Sequence, residues 1–374
     1  MLGAIGTKVV QEAGSSFASR SAPGGRGGER SAADAASAAE GGRLRATRET
    51  AGGQPTRLRI TNGCRDEVMW LASSGLGRPM PPRRLTPLAS LDVEVEALPL
   101  ATTVPSGGER RNARFWPRFG CDGRGEHCIL GADPDLPTTD CDGSQPCPLP
   151  TVDSRFEAAF GALGQPFNAS GSNLRGCDII NVGLEIGFTV PFKLEIKGDC
   201  RQSAAAAADR DDTGRGVERV RKVLDCSGLS LAGCPADEAI LPQAGEGQPP
   251  KMDLRLRDAD GSSVGCFSPC SRLLKAGWDA DERLLSDGSP HEALVNGYCC
   301  PSEEACQQAR SSTYAKHVHA MCPGANAFRH DSGISVGTCP AGTQYEMVFL
   351  CPAGSWRSSA AAAAAGTASA AGAA

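Results

Sequence analysis

Seventeen cysteines constrain the fold of this 374-residue chain more than any other feature. All of them lie between positions 64 and 351, so the first 55 and the last 18 residues contain none. A cysteine-rich chain in a reducing compartment usually binds zinc through closely spaced Cys-x2-Cys hooks. No two cysteines here have that spacing. We therefore predict a disulfide-linked, extracellular protein without a metal site and without any other cofactor.

The two ends of the chain are predicted to be disordered, low-complexity segments. Residues 1–55 are rich in Ala, Gly, Ser and Arg, and residues 357–374 are nearly all Ala, Ser, Gly and Thr. Such compositions bury too little apolar surface to offset the entropy lost on folding. Lys8 and Glu12 interrupt a short apolar stretch, which makes a poor signal peptide. We still expect secretion, and the sequon at Asn168 suits a secreted glycoprotein.

Charge and hydropathy argue against two classes of partner. The chain has 38 basic and 43 acidic residues, and its net charge of −5 provides no basic surface for nucleic acid. No apolar run is long enough for a transmembrane helix. We expect a monomer that binds neither nucleic acid nor the interior of a membrane.

Alternating apolar residues predict a mostly β protein. Short runs of period two, separated by Gly and Pro clusters, are typical of the strands of a β-sandwich. Pro117 favours an edge position or a bulge for its strand, because proline cannot donate to a β-ladder. The last run could pair with the first and close the sheet. The runs lie at 58–62, 67–71, 91–97, 114–119, 178–197 and 345–351.

The predicted strands group into three sandwich regions, about 57–120, 155–197 and 345–351. The intervening segment, about 200–340, is a cysteine-rich region of loops. Two helices are expected within it, at 269–276 and 314–321, because serines that can cap a helix precede both.

Several short motifs resemble the thaumatin-like proteins (pathogenesis-related group 5 type). Residues 60–64 resemble the opening strand of that family, and residues 113–121 resemble its signature. Residues 187–191, Gly-Phe-Thr-Val-Pro, are similar to its Gly-Phe-Asn-Leu-Pro. The resemblance covers 57–352. It implies a thaumatin-like β-sandwich core with a cysteine-rich, loop and short-helix region stapled by about eight disulfides.

The resemblance also implies which cysteines pair, because sixteen of the seventeen follow the family order. The family has no counterpart of Cys177, which we expect to be a buried free thiol or, alternatively, an intermolecular link. The implied disulfides are Cys64–Cys351, Cys121–Cys128, Cys141–Cys147, Cys200–Cys339, Cys226–Cys322, Cys234–Cys266, Cys270–Cys299 and Cys300–Cys306.

Many thaumatin-like proteins have an acidic cleft that is linked to binding or weak hydrolysis of β-1,3-glucan. At three positions where the family has carboxylates, this chain has Arg155, Asn181 and Ile186. Asp331 is retained. The resemblance further places Asp178 in the cleft.

The cleft should therefore contain Arg114, Asp178, Asn181 and Asp331, with Arg118 as the alternative to Arg114. Hydrolysis of a glycosidic bond needs two carboxyl groups.

The weak catalytic candidates are Asp331 together with Glu157 or Glu185, and Asp153 is the alternative to Glu157. Glu185 should face away from the cleft, because adjacent residues of a strand point to opposite faces. Arg155 should keep any neighbouring acid ionised.

The resemblance implies a protein that binds cell-wall β-glucan in defence or stress and has little or no enzymatic activity. Two alternatives stay open. One is a weak endo-β-1,3-glucanase, and the other is a protein-binding inhibitor of foreign hydrolases.

Overall fold

A computed structural model describes residues 56–76, 80–95, 112–132, 147, 149–167, 175–198, 200–202, 223–240, 251–275, 289–331 and 336–352. The chain divides into two units, and all of these residues belong to the second, Gln54–Ala374. The two ends predicted to be disordered, the sequon at Asn168 and Cys141 lie outside the described residues. The limits 57–352 of the folded domain stay a prediction.

Strands dominate the described residues, and short helices follow late in the chain. Strands β1–β9 are Leu58–Asn62, Met69–Ser74, Arg83–Leu85, Ser90–Val93, Ala113–Arg118, Phe156–Ala159, Cys177–Asn181, Gly187–Phe188 and Phe192–Lys197. Strands β10–β17 are Arg201–Gln202, Val223–Cys226, Glu238–Ala239, Lys251–Met252, Arg255–Arg257, Ser263–Phe267, Val336–Pro340 and Gln344–Phe349. Helices α1–α4 are Pro269–Leu274, Ser289–Cys299, Gln307–Ser311 and Thr313–Met321.

Two large sheets form the predicted sandwich. One has five strands in the order β11-β9-β17-β1-β4, and the other has seven in the order β10-β16-β7-β6-β5-β2-β3. Strands β1 and β17 pair in parallel, so the first and last strands of the domain do join one sheet, as predicted. Two smaller sheets, β14-β15-β8 and β12-β13, complete the described strands.

The core lies between the inner faces of the two large sheets. Strand β9 buries alternate residues from Phe192 to Ile196, and β17 does the same from Tyr345 to Phe349. The ring of Tyr345 lies 6.1 Å from that of Phe156, which belongs to the seven-stranded sheet. Period-two burial is the property by which these strands were predicted.

The predicted division between a sandwich and a cysteine-rich region at 200–340 is not kept strictly. Strand β11 pairs with β9, and β16 pairs with β7, so both belong to the sandwich sheets. Both pairings join residues far apart in sequence, which local patterns cannot indicate.

Pro117 does not mark an edge strand, since β5 lies between β2 and β6. The pairing of β5 with β6 ends at Phe115, whereas the pairing with β2 continues to Arg118. At Pro117 the strand has one partner only, so the missing N–H interrupts no ladder on the β6 side.

Both predicted helices form, as α1 and α4. The hydroxyl of Ser268 caps α1 by accepting from the amide of Ser271 at 3.1 Å, and Ser312 caps α4 by accepting from Ala315 at 3.0 Å. Helices α2 and α3 were not predicted. Among the described residues, no helix has the length and apolar character needed to cross a membrane.

Seven of the eight implied disulfides form in the structure. Cys141, a member of the eighth pair, lies outside the described residues. Cys177 is buried and forms no disulfide with another described cysteine. The seven bonds are Cys64–Cys351, Cys121–Cys128, Cys200–Cys339, Cys226–Cys322, Cys234–Cys266, Cys270–Cys299 and Cys300–Cys306.

Candidate functional site

Three of the predicted site residues stand side by side on the seven-stranded sheet. Arg114 of β5 is directly opposite Glu157 of β6, and Glu157 is directly opposite Asn181 of β7. Residues in register on neighbouring strands point to the same face of a sheet. The Nε atom of Arg114 lies 3.1 Å from a carboxylate oxygen of Glu157. We refer to this row together with Arg155, Glu185, Arg329 and Asp331, which are described below, as the cleft cluster.

Arg155 extends the cleft cluster toward a buried acid. Its Nε atom lies 2.9 Å from the carboxylate of Glu157 and 3.4 Å from that of Asp153. Asp153 is fully buried, and burial raises its pKa to about 7 although the charge of Arg155 opposes this shift. The prediction that Arg155 would keep a neighbouring acid ionised is therefore wrong for Asp153. The free-energy cost of removing this carboxylate from water is larger than the stabilisation that the guanidinium group of Arg155 provides at 3.4 Å.

Glu185 also belongs to the cleft cluster, contrary to the prediction that it faces away. It lies in the turn between β7 and β8, where the alternation of a strand does not apply. Burial raises the pKa of its carboxyl, a hydrogen bond from Asn326 and the charge of Arg329 lower it, and the carboxylates of Glu157 and Asp331 raise it further. A Cβ atom placed on Gly183 would lie 3.1 Å from Oδ1 of Asn181 and 3.2 Å from Oε1 of Glu185, so the side chains of Asn181 and Glu185 lie close together.

Asp331 is held by two hydrogen bonds. One of its carboxylate oxygens accepts from the backbone amide of Ala327 at 2.8 Å and from Nε2 of His319 at 2.7 Å. The bond to Asp331 raises the pKa of His319 above its usual value. His319 was not among the predicted site residues, because its partner lies twelve residues further along the chain.

Asp178 does not lie in the cleft, and this expectation is corrected. Asp178 is three positions before Asn181 on β7, an odd number, so the two side chains point to opposite faces. The carboxylate of Asp178 is buried in the core, where it bonds Arg57 at 2.5 Å, the amide of Gly161 at 2.8 Å and the hydroxyl of Tyr345 at 3.0 Å. Its partners make it a structural residue.

The side chains that a ligand can reach in the cleft cluster are mainly cationic. The side chain of Arg114 is 36% exposed, whereas those of Glu157 and Asp331 are 9% and 5% exposed. Arg329 is exposed as well. Arg118, the alternative cleft arginine, is buried. Glu157 therefore lies beneath the guanidinium groups of Arg114 and Arg155 and acts as their counter-charge, whereas Glu185 is half-buried.

One group of possible metal donors occurs among the described residues. Donor atoms of Asp122, Glu126 and His127 lie within 4.8 Å of one another. They are already bonded locally, since one carboxylate oxygen of Asp122 accepts from two backbone amides and the other contacts Nδ1 of His127 at 2.9 Å. These bonds shape the turn that the Cys121–Cys128 disulfide closes.

Comparison with known proteins identifies the family of this chain. A family model described as the Thaumatin family matches residues 93–352. Zeamatin from Zea mays is 33% identical over 157 residues, which cover 38% of this chain and 67% of zeamatin. An alpha-amylase/trypsin inhibitor from Zea mays is 33% identical over 93 residues, or 23% of this chain and 44% of the inhibitor.

The solved structure of a thaumatin-like xylanase inhibitor is 17% identical, covers 79% of this chain and 99% of its own, and has a TM-score of 0.26. With the family model matched from the fourth strand to the end of the described residues, the chain belongs to the thaumatin family.

Proposed function

We propose that this protein is secreted and binds cell-wall β-glucan through the cleft cluster without hydrolysing it. One observation carries the proposal: the carboxylates of Glu157 and Asp331 are already held by partners within the protein. Arg114 and Arg155 contact Glu157, while His319 and the amide of Ala327 donate to Asp331.

Hydrolysis of a glycosidic bond requires one carboxyl that donates a proton and a second that acts as base or nucleophile. Glu185, whose pKa is raised by burial, has the property required of the proton donor. The second role needs an available carboxylate. The carboxylate of Glu157 is occupied by the guanidinium groups of Arg114 and Arg155, and that of Asp331 by His319 and the amide of Ala327. The cleft cluster is therefore better suited to binding than to catalysis.

Binding of a sugar needs hydrogen-bond donors and acceptors that are fixed in place. The guanidinium groups of Arg114 and Arg155 and the amide of Asn181 are such groups. Ion pairs to Glu157 hold both arginines in one orientation, which reduces the entropy lost on binding. Seven disulfides suit an oxidising, extracellular compartment.

The test is a pull-down on insoluble β-1,3-glucan with the release of reducing sugar measured in the same samples. We expect binding without release, and at least about tenfold weaker binding for Arg114→Gln. Arg59→Gln is the matched control, because Arg59 forms a similar exposed ion pair with Asp92 on the five-stranded sheet. Sugar release by the wild-type protein that disappears in Asp331→Asn would replace this proposal with the glucanase.

Inhibition of a hydrolase is the second candidate function. The similarity of residues in this chain to an alpha-amylase/trypsin inhibitor from Zea mays favours it. Assays of α-amylase and trypsin with the purified protein test this candidate directly. Inhibition together with no retention on glucan would support it over the polysaccharide proposal.

A further inference from the structure

A pocket of about 190 Å³ opens beside the cleft cluster. Glu185 and Arg329, which belong to the cleft cluster, both line the pocket. The rest of the lining comes mainly from the four helices and from the segment that follows α4. The pocket and the cleft therefore share one wall.

The pocket is apolar and is held in shape by a covalent bond. Pro269, Leu274 and Phe328 line it together with the Cys270–Cys299 disulfide. This disulfide joins α1 to α2, so the two helices cannot separate when the pocket is empty. A preformed apolar pocket with a few polar groups is the usual form of a small-molecule site.

The hydroxyl groups in the lining already have partners within the protein. Tyr298 donates to the carbonyl of Ala239 at 3.1 Å, and Tyr314 donates to that of Leu184 at 2.6 Å. The hydroxyl of Ser312 donates to a carbonyl of α3 at 2.7 Å. A sugar ring buried here would leave several of its hydroxyls without partners, which is unfavourable. The pocket thus suits a ligand with one apolar ring and few polar groups.

We propose that this pocket binds a free phenol, with the aromatic ring against the apolar wall and the hydroxyl donating to the carboxyl of Glu185. The volume supports one ring, since an engineered apolar cavity of about 150 Å³ binds benzene. Arg329 stands in the same lining and is exposed, so its guanidinium can stack on the face of the ring. This proposal does not depend on the glucan proposal, although Glu185 and Arg329 belong to both the pocket and the cleft cluster.

The test is a titration of the purified full-length protein with 4-methylphenol, followed by calorimetry. We expect saturable binding of one molecule per chain. Toluene lacks the hydroxyl and 4-methylcyclohexanol lacks the aromatic face, so each should bind about tenfold more weakly. Equal affinity for toluene and 4-methylphenol would show that Glu185 does not accept a hydrogen bond from the phenol hydroxyl.

Substitutions of lining residues test whether 4-methylphenol binds in the pocket. Leu274 lines the pocket and is 65% exposed, so Leu274→Asp should fold normally and bind about tenfold more weakly. The matched control is Val223→Asp, an exposed apolar residue on β11 that should bind like the wild type. Glu185→Met, which has no oxygen that can accept the phenol hydroxyl, should weaken the binding of 4-methylphenol but leave the affinity for toluene unchanged.

Two results would overturn the proposal. One is the absence of saturable 4-methylphenol binding, or binding that Leu274→Asp and Val223→Asp affect equally. The other is tighter binding of N-acetyl-tyrosine amide than of 4-methylphenol, which would assign the pocket to a tyrosine side chain of a protein partner.

Discussion

The free energy of unfolding of the wild-type protein should fall as the pH rises, because Asp153 ionises, and Asp153→Asn should abolish this fall. The carboxyl is fully buried, and neither of its oxygens has a hydrogen-bond partner among the described residues. Burial raises its pKa from 3.8 to about 7, the charge of Arg155 opposes the shift, and the charge of Glu157 adds to it. In the unfolded chain the carboxyl returns to its ordinary pKa of 3.8.

The sign and the size of the effect follow from these two pKa values. Between them the folded protein keeps a proton that the unfolded chain has lost, so the free energy of unfolding falls as the pH rises. The contribution of protonated Asp153 to the free energy of unfolding is fully present below pH 3.8 and is lost once the pH passes about 7. One pKa unit corresponds to about 1.4 kcal/mol, so a shift of about three units amounts to at most about 4 kcal/mol. An asparagine does not ionise and shows no such loss.

The assay is unfolding in guanidinium chloride, with disulfides intact, at pH values from about 4 to about 8. The stability of Asp153→Asn relative to the wild type should rise with pH by up to about 4 kcal/mol. Glu185 and Asp178, whose pKa values burial also raises, cancel in this difference. Asp92→Asn is the control, because its side chain is 48% exposed. Parallel stability profiles for Asp153→Asn and the wild type would refute the reasoning.

Three other substitutions probe buried or half-buried polar groups. Asp178→Asn should lower the free energy of unfolding in urea by about 3 kcal/mol, because Arg57 stays buried without its charge partner; an unchanged midpoint contradicts this. Asn62→Asp removes an amide that donates to three carbonyls and should cost about 2 kcal/mol, which a melt no earlier than that of the wild type would disprove. NMR titration should place the pKa of His319 above 6.5, and Asp331→Asn should lower it. This raised pKa stabilises the fold below pH 6.5 and its contribution is lost as the pH rises through the folded-state value.

Local patterns predicted the parts of the fold that depend on local chemistry. Strand β1 has the predicted bounds 58–62, because its alternation reflects burial of one face. Helices α1 and α4 begin after the serines that cap them. Strands β11 and β16 were assigned to the cysteine-rich region, since their place in the sandwich depends on pairing with distant strands.

The candidate site was predicted less well than the fold. Arg114, Glu157 and Asn181 do lie together, because strand register brings them side by side. Asp178 was misplaced although β7 was predicted correctly as a strand, since the assignment followed the resemblance and not the alternation of side chains. Glu185 was misplaced because a turn was taken for a strand. Each error concerns which face a side chain occupies.

By itself, the sequence determined the scaffold of this protein. The spacing of its apolar residues is a local property that indicated the strands of the sandwich. Its short motifs and cysteine order indicated the family, and the resemblance to that family implied the seven disulfides that the structure contains. Only the tertiary structure decided the electrostatics of the cleft. The ionisation of Asp153 and Glu185 depends on burial, and the availability of Glu157 and Asp331 depends on neighbours supplied by other segments of the chain. Desolvation and ion pairing are set by atoms within a few ångströms, and folding alone brings those atoms together.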